Sequence, residues 1–135
     1  MNIRASSSFR AGDTSRLMAA ISARAREAVT QGANAVLDIS RQYVPVDTGD
    51  LASSGGVELE DNPTGPVAFV TYSSDHAAFN EFGTGRRGAE SGNAAPGITY
   101  SPTWPGMSGH AFLRPALDAG RPDILAAFTD AGFTI

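Results

Sequence analysis

Tyr43-Val44-Pro45-Val46-Asp47-Thr48-Gly49-Asp50-Leu51 divides the chain in two. Pro45 has no backbone N–H and pushes Val44 out of the helical region, so a helix arriving from the N-terminal side must finish here. Asp47 offers a short carboxylate to the N–H groups that follow it, and Gly49 accepts backbone angles that a side chain forbids. Asp50, three residues after Asp47, stands where a capping-box acid stands for a short helical turn starting at Thr48. The same N–H groups would also suit an anion, but two aspartates in so small a loop weigh against an anionic ligand.

Upstream of this turn, from about Ser15 to Tyr43, Leu17, Ile21, Ala25, Ala28, Gly32, Val36, Ile39 and Tyr43 recur at steps of three and four. That period places them along one side of an α-helix, with Arg16, Arg26, Glu27, Asp38 and Arg41 on the other. Asp13 or Thr14 is the expected N-cap. Such a helix is roughly 40–45 Å long, more than a small domain needs, so one end is left over for a neighbouring subunit. Alanine and glycine dominate the middle of the stripe, which lets a packing partner approach closely. Gly32 is a possible break, because glycine there costs about 1 kcal/mol relative to alanine. Met1–Gly12 is Ser-rich, carries Arg4 and Arg10, and has no packing period; it is expected to be a flexible arm, with residues 13–135 forming one domain.

Downstream, Leu51–Ser54 suits a short helical turn that Gly55-Gly56 ends. Val57 and Leu59 alternate with Glu58 and Glu60, the pattern of a strand with one wet face. Asp61–Pro66 is a turn by composition, and Val67–Tyr72 is a second strand, apolar on both faces and so expected to be central or covered. The two form an antiparallel hairpin. Ser73-Ser74-Asp75 caps a short helix over His76–Phe82. A long Gly- and Pro-rich loop follows, and Phe112-Leu113-Arg114-Pro115 opens a C-terminal helix with Pro115 in its first turn. Leu117, Ile124, Leu125 and Phe128 supply the apolar side of that helix, which Gly120-Arg121-Pro122 is expected to kink or split. The order is that of an α+β domain: a long N-terminal helix packed on a small antiparallel sheet, a long loop and a C-terminal helix.

Residues that could carry chemistry do not assemble into a set. Glu81 has no second acid or histidine at a spacing that makes a dyad evident, so a hydrogen-bonded or ion-paired role is favoured over a general base. Gly83-Thr84-Gly85-Arg86-Arg87-Gly88 matches Gly-x-Gly-x-x-Gly. The residues after it, however, cannot sustain the helix that a dinucleotide site opens on. Gly106-Met107-Ser108-Gly109-His110 approaches a nucleophile elbow but lacks the strand before it. His76 and His110 have no carboxylate cluster spaced with them as metal ligands, so neither a metal nor any other cofactor is expected. Arg86 and Arg87 form a local positive point at a loop tip. With Tyr100, Trp104 and Met107 they are the candidate partner-facing residues, and with Tyr100 and Trp104 the only candidate for a small DNA-binding module.

Composition narrows the classes further. Leu, Ile, Val and Phe number 27 of 135 residues, so the core is thin and suited to completion by neighbouring subunits. There is no cysteine, which excludes disulfides, thiolate metal sites and a cysteine nucleophile. All ten basic residues are arginine, which excludes every mechanism that needs a lysine. A net charge of −4 makes the chain a poor grip for nucleic acid through its overall field. No stretch suits a signal peptide or a membrane span, so synthesis in the cytoplasm is expected.

Three ordered motifs carry a resemblance. Val44-Pro45-Val46-Asp47-Thr48-Gly49-Asp50-Leu51, then Glu81-Phe82-Gly83-Thr84, then Phe112-Leu113-Arg114-Pro115-Ala116-Leu117, near these spacings, resemble the tail-completion (neck) protein family of long-tailed bacteriophages. The likeness runs from about Val44 to Leu117. It departs at His110-Ala111-Phe112, where the family has a Gln-Pro-Phe-like approach, and in the length of the loop between Gly85 and Gly109. The resemblance implies a non-enzymatic virion protein assembled in the host cytoplasm. It implies a homo-oligomeric ring, hexameric in expectation, that joins the head–tail connector protein to the tail tube or tail terminator. DNA would pass through its lumen without sequence-specific binding, and no membrane would be involved. On this reading Pro45, Asp47, Thr48, Gly49, Leu51, Glu81, Phe82, Gly83, Thr84, Phe112, Leu113, Arg114 and Pro115 are structural motif residues. The Gly83–Gly109 loop would order on docking. A tail terminator that caps the tube is the neighbouring reading.

Overall fold

The computed structural model describes residues 11–45 and 49–134. Most of the expected arm, together with Val46, Asp47 and Thr48 of the turn, lies outside them. The architecture is α+β, in the order α1 (Ala11–Tyr43), α2 (Asp50–Ser53), β1 (Gly55–Asn62), β2 (Gly65–Tyr72), α3 (Ala77–Phe82), α4 (Gly85–Glu90) and α5 (Leu113–Asp130).

The long helix forms as expected and begins earlier, so Asp13 and Thr14 lie inside its first turns rather than at a cap. Its 33 residues span about 50 Å. Gly32 does not break it; Gly32 is where α5 crosses, with Ile124 so close that a Cβ would sit 3.3 Å from its side chain. Further along, Gly120 of α5 faces Val36 and Ile39, and Gly132 lies by Arg24. Positions rising in α1 therefore meet positions falling in α5, so the two helices run antiparallel. Small residues set this contact: Ala28, Ala116, Gly120 and Ala127 are buried, whereas Leu117 and Leu125, expected on the packing side, are largely exposed.

The sheet has two strands in antiparallel register, Gly55 opposite Tyr72 through Asn62 opposite Gly65, joined by Pro63-Thr64. Its inner face lies on α1. Tyr72 shares a 2.5 Å hydrogen bond with the buried Ser40, whose hydroxyl also reaches the Leu37 carbonyl at 2.7 Å. Arg26 pairs with Asp61, and Arg41 donates to the Gly55 carbonyl at 3.2 Å. Helix α1 thus packs on two sides, hairpin and α5, which is why Ala33 and Leu37 are buried although they lie off the single stripe read from the sequence. Arg26 and Arg41, assigned to the wet side, flank the hairpin instead. Strand β2 is not central: Phe69, on its outer face with Val67, is largely exposed, and among the described residues its second edge is unpaired.

A buried apolar cluster lies where α1 ends. Val44, Leu51 and Phe112 form a buried cluster joined by Ala52, Tyr72, Ala77 and Leu113. The Phe112 and Tyr72 rings meet edge to face with centroids 4.9 Å apart. The turn after Pro45 therefore delivers Leu51 to Phe112, with Gly49 at φ 80° as the N-cap of α2. The short helix starts at Asp50, later than the Thr48 start expected, because a left-handed glycine makes the bend.

In contrast to the expected kink or split, α5 continues through Pro122. Proline there removes the N–H that would reach the Asp118 carbonyl and crowds it. Replacing Pro122 with alanine should raise stability by about 2 kcal/mol, the helix penalty of proline less its stiffening of the unfolded chain. A urea midpoint moved upward at constant slope would register this; an unchanged or lower midpoint would mean that the helix does break there.

Candidate functional site

The second and third motifs meet at one carboxylate. A helix leaves the N–H groups of its N-cap and first three residues without partners inside the helix. For α5 these belong to Phe112, Leu113, Arg114 and Pro115. Glu81 Oε2 accepts the N–H of Phe112 at 2.8 Å and of Leu113 at 3.0 Å, and Oε1 accepts the N–H of Arg114 at 3.1 Å. Pro115 has no N–H to satisfy. All the free donors at the start of α5 are therefore met by one side chain from α3, thirty-odd residues earlier.

Arg114 closes the arrangement from outside. Its Nε donates to Glu81 Oε1 at 3.1 Å, its Nη2 to the Asn93 carbonyl at 3.0 Å, and its guanidinium lies 5.2 Å over the Phe82 ring. Glu81 is buried. Burial pushes its carboxyl pKa up, but the N–H groups of Leu113, Phe112 and Arg114 and the Arg114 side chain outweigh this and hold it below its ordinary value. A carboxylate with four donors and a lowered pKa is a poor proton acceptor. Its geometry is that of a cap and a tie, not a general base.

The long loop is stapled shut. Thr84 and Met107 exchange backbone hydrogen bonds at 2.8 and 3.0 Å, and the N–H groups of Arg86 and Arg87 reach the carbonyls of Trp104 and Pro105. Asn93 donates to the Gly109 carbonyl at 2.8 Å, and Tyr100 donates its hydroxyl to the Phe82 carbonyl at 3.0 Å. In the single chain these bonds close the loop that the sequence reading expects to order on docking. They also explain the Gly-x-Gly-x-x-Gly match. Gly83, at φ 78°, has no room for a Cβ, which would come within 2.5 Å of the Gly109 nitrogen and 2.8 Å of Gly88 Cα. The glycines let chain segments touch one another; they do not cradle a phosphate. The stretch also forms a short helix, α4, so Arg86 and Arg87 are not at a loop tip.

The motif residues inside the described range gather here or in the neighbouring core. Pro45 ends α1, Gly49 and Leu51 carry the chain to Phe112, and Glu81, Phe82, Gly83 and Thr84 brace the start of α5 formed by Phe112, Leu113, Arg114 and Pro115. The partner-facing candidates divide. Arg86 and Arg87 are exposed, with no ion pair to another described residue, and Trp104 is 58% exposed. Tyr100 is turned inward as a staple, and the Met107 backbone is tied to Thr84. Asn93 was not legible: a lone asparagine in a Ser-Gly-Asn turn carries no signal for a bond sixteen residues away. Among the described residues no group of three or more His, Cys, Asp or Glu could hold a metal ion.

Comparison with protein-family models, with curated proteins and with solved structures finds no match for this chain.

Removing the Glu81 carboxylate should cost about 3 kcal/mol of stability, because three amide donors and a guanidinium lose their acceptor together. Glu81→Gln should cost less than Glu81→Ala, since one oxygen still accepts. With the folded pKa depressed, the stabilisation is complete above the unfolded-state value of about 4.3 and is lost as pH falls through the folded pKa. Unfolding midpoints measured from pH 7 down to acid should fall more steeply in the native chain than in Glu81→Gln; parallel curves would refute the cap.

Proposed function

We propose that this chain is a structural subunit of the neck of a tailed phage, or of a prophage-derived particle. It would be a tail-completion protein whose ring joins the connector to the tail tube. The observation that carries the reading is the mutual engagement of the motifs that resemble the family. Glu81 binds the backbone of Phe112, Leu113 and Arg114, and Leu51 packs on Phe112. Residues used up in holding one another leave the outer surface to do the work, as expected of an assembly protein rather than an enzyme. The thin core fits this too, since large apolar side chains such as Leu17, Met18 and Leu125 stay exposed in the isolated chain.

The mechanism is assembly. Subunits close a ring, in expectation hexameric, and stack coaxially beneath the connector. The net charge of −4 keeps DNA from sticking in the lumen. Because the 83–109 loop is already closed, it docks as a preformed knob and loses less conformational entropy than a disordered segment would.

Deletion of this gene from the parent phage, followed by electron microscopy of the lysate, tests the reading. Filled heads beside detached tails of normal length are the expected result. Tails of uncontrolled length would make the protein a terminator, and normal infectious particles would end the proposal.

A further inference from the structure

The edge of β2 that β1 leaves free runs along an open groove of about 550 Å³. Its floor is α1, at Gly32, Ala33 and Val36, and its far wall is α5, at Leu117 and Ile124. Residues 66–70 form the near wall, and no residue of β1 takes part. The register tells which backbone groups point into this space. Ser73 donates to the Ser54 carbonyl at 3.3 Å, which makes Ser54 and Ser73 a hydrogen-bonded pair. Bonded and unbonded pairs alternate along an antiparallel ladder, so Val67 and Phe69 bond to β1 whereas Ala68 and Val70 do not. The Gly55 carbonyl, in one of the unbonded pairs, is accordingly free to accept from Arg41. The N–H and C=O groups of Ala68 and Val70, with the Pro66 carbonyl, therefore point away from β1. None of them has a hydrogen-bond partner among the described residues. Such a row is a template for another strand.

We propose that the groove is a strand-addition site. An extended, largely apolar segment of another protein pairs with β2 and carries an acidic side chain at the end beside Arg114. The edge groups select an extended occupant. A helix laid in the groove would leave them unpaired, because its own amides are used within it. An extended segment satisfies them and sets alternate side chains on the α1 floor, where Gly32 and Ala33 leave room. Residues 66–70 span about 17 Å, so about five residues of the segment would pair. The acid follows from the lining, in which Arg114 is the one charged residue, with its side chain half exposed. Its Nε is taken by Glu81 and one Nη2 hydrogen by the Asn93 carbonyl; its other N–H groups have no partner among the described residues. It stands at the closed end of the groove, where the Tyr72 and Phe112 rings meet. This chain does not supply such a segment. Its two strands pair with each other, and Met1–Arg10 carries Arg4 and Arg10 but no acid. The site stands whether or not the protein belongs to a phage neck.

The test needs no known partner. Random eight-residue peptides displayed on yeast are selected on the full chain, and enrichment of alternating apolar residues with an acid at one end is expected. A synthetic peptide of the enriched sequence should slow hydrogen exchange at the Ala68 and Val70 amides about tenfold or more. The amides of Val67 and Phe69, already bonded to β1, should change little. N-methylation of the peptide amides that face β2 should weaken binding about a hundredfold, whereas N-methylation of those facing away should leave it unchanged. Replacing the acid of the peptide by its amide should weaken binding about tenfold. The proposal would be overturned by a library without enriched peptides, or by an acid that can be replaced without loss. A bound peptide that leaves Ala68 and Val70 exchanging freely, or equal losses at both sets of N-methyl positions, would make the groove a pocket for apolar groups and overturn it as well. Protection of the same amides on raising the protein concentration alone would make the occupant a second copy, again against the proposal.

Discussion

The start of α5 is the constraint on which the rest of the structure depends. A helix N-terminus buried in a small domain must find acceptors for its free amides, and this chain supplies them from one glutamate. With Glu81 in place, Phe112 enters the cluster of Val44 and Leu51, and α5 can lie along α1. Without it, three donors would be buried beside an apolar cluster, at a cost comparable to a large part of a domain's net stability. Arg114 limits the cost of burying the acid by pairing with it while remaining half in solvent.

The same constraint accounts for the character of the two long helices. Because polar capping and a small aromatic cluster fix the junction, the α1–α5 contact needs few large side chains. Gly32 lets Ile124 come close and Gly120 lets Val36 and Ile39 come close, while Ala28, Ala116 and Ala127 are buried. Close packing of small residues recovers dispersion contacts but buries little apolar area per residue. The large apolar side chains are left on the outside, at Leu17, Met18, Ile21, Leu117 and Leu125. An isolated helix the length of the exposed Thr14–Arg24 segment of α1 would be marginal in water. Here it is nucleated by the packed remainder of the same helix.

Much of this was legible in the sequence, and the parts that were not share a cause. The three-and-four spacing from Leu17 to Tyr43, the alternation at Val57–Glu60 and the stop at Pro45 are local signals, and they located α1, the hairpin and the turn. The target of Glu81 was not legible, because a side chain that caps a distant helix leaves no mark in the spacing around itself. Gly83, Gly85 and Gly88 match a ligand pattern that the residues after them already argued against; what the sequence did not show is that the glycines serve another stretch of the same chain. Leu117 and Leu125 were placed on the packing face because size was taken for burial, whereas Ala116, Gly120 and Ala127 are the buried positions of α5, and Gly120 faces Val36 and Ile39 of α1. Pro122 was read as a break, yet tertiary packing on both sides of it carries α5 through.

The measurement that tests the central claim most directly is a carboxyl-detected NMR titration of Glu81, followed together with the amide signals of Phe112, Leu113 and Arg114. The account predicts a Glu81 pKa below that of an ordinary glutamate, with the three amides shifting in step with its protonation. An ordinary pKa, or amides indifferent to the titration, would contradict it and leave the start of α5 without the acceptor on which the fold is argued to rest.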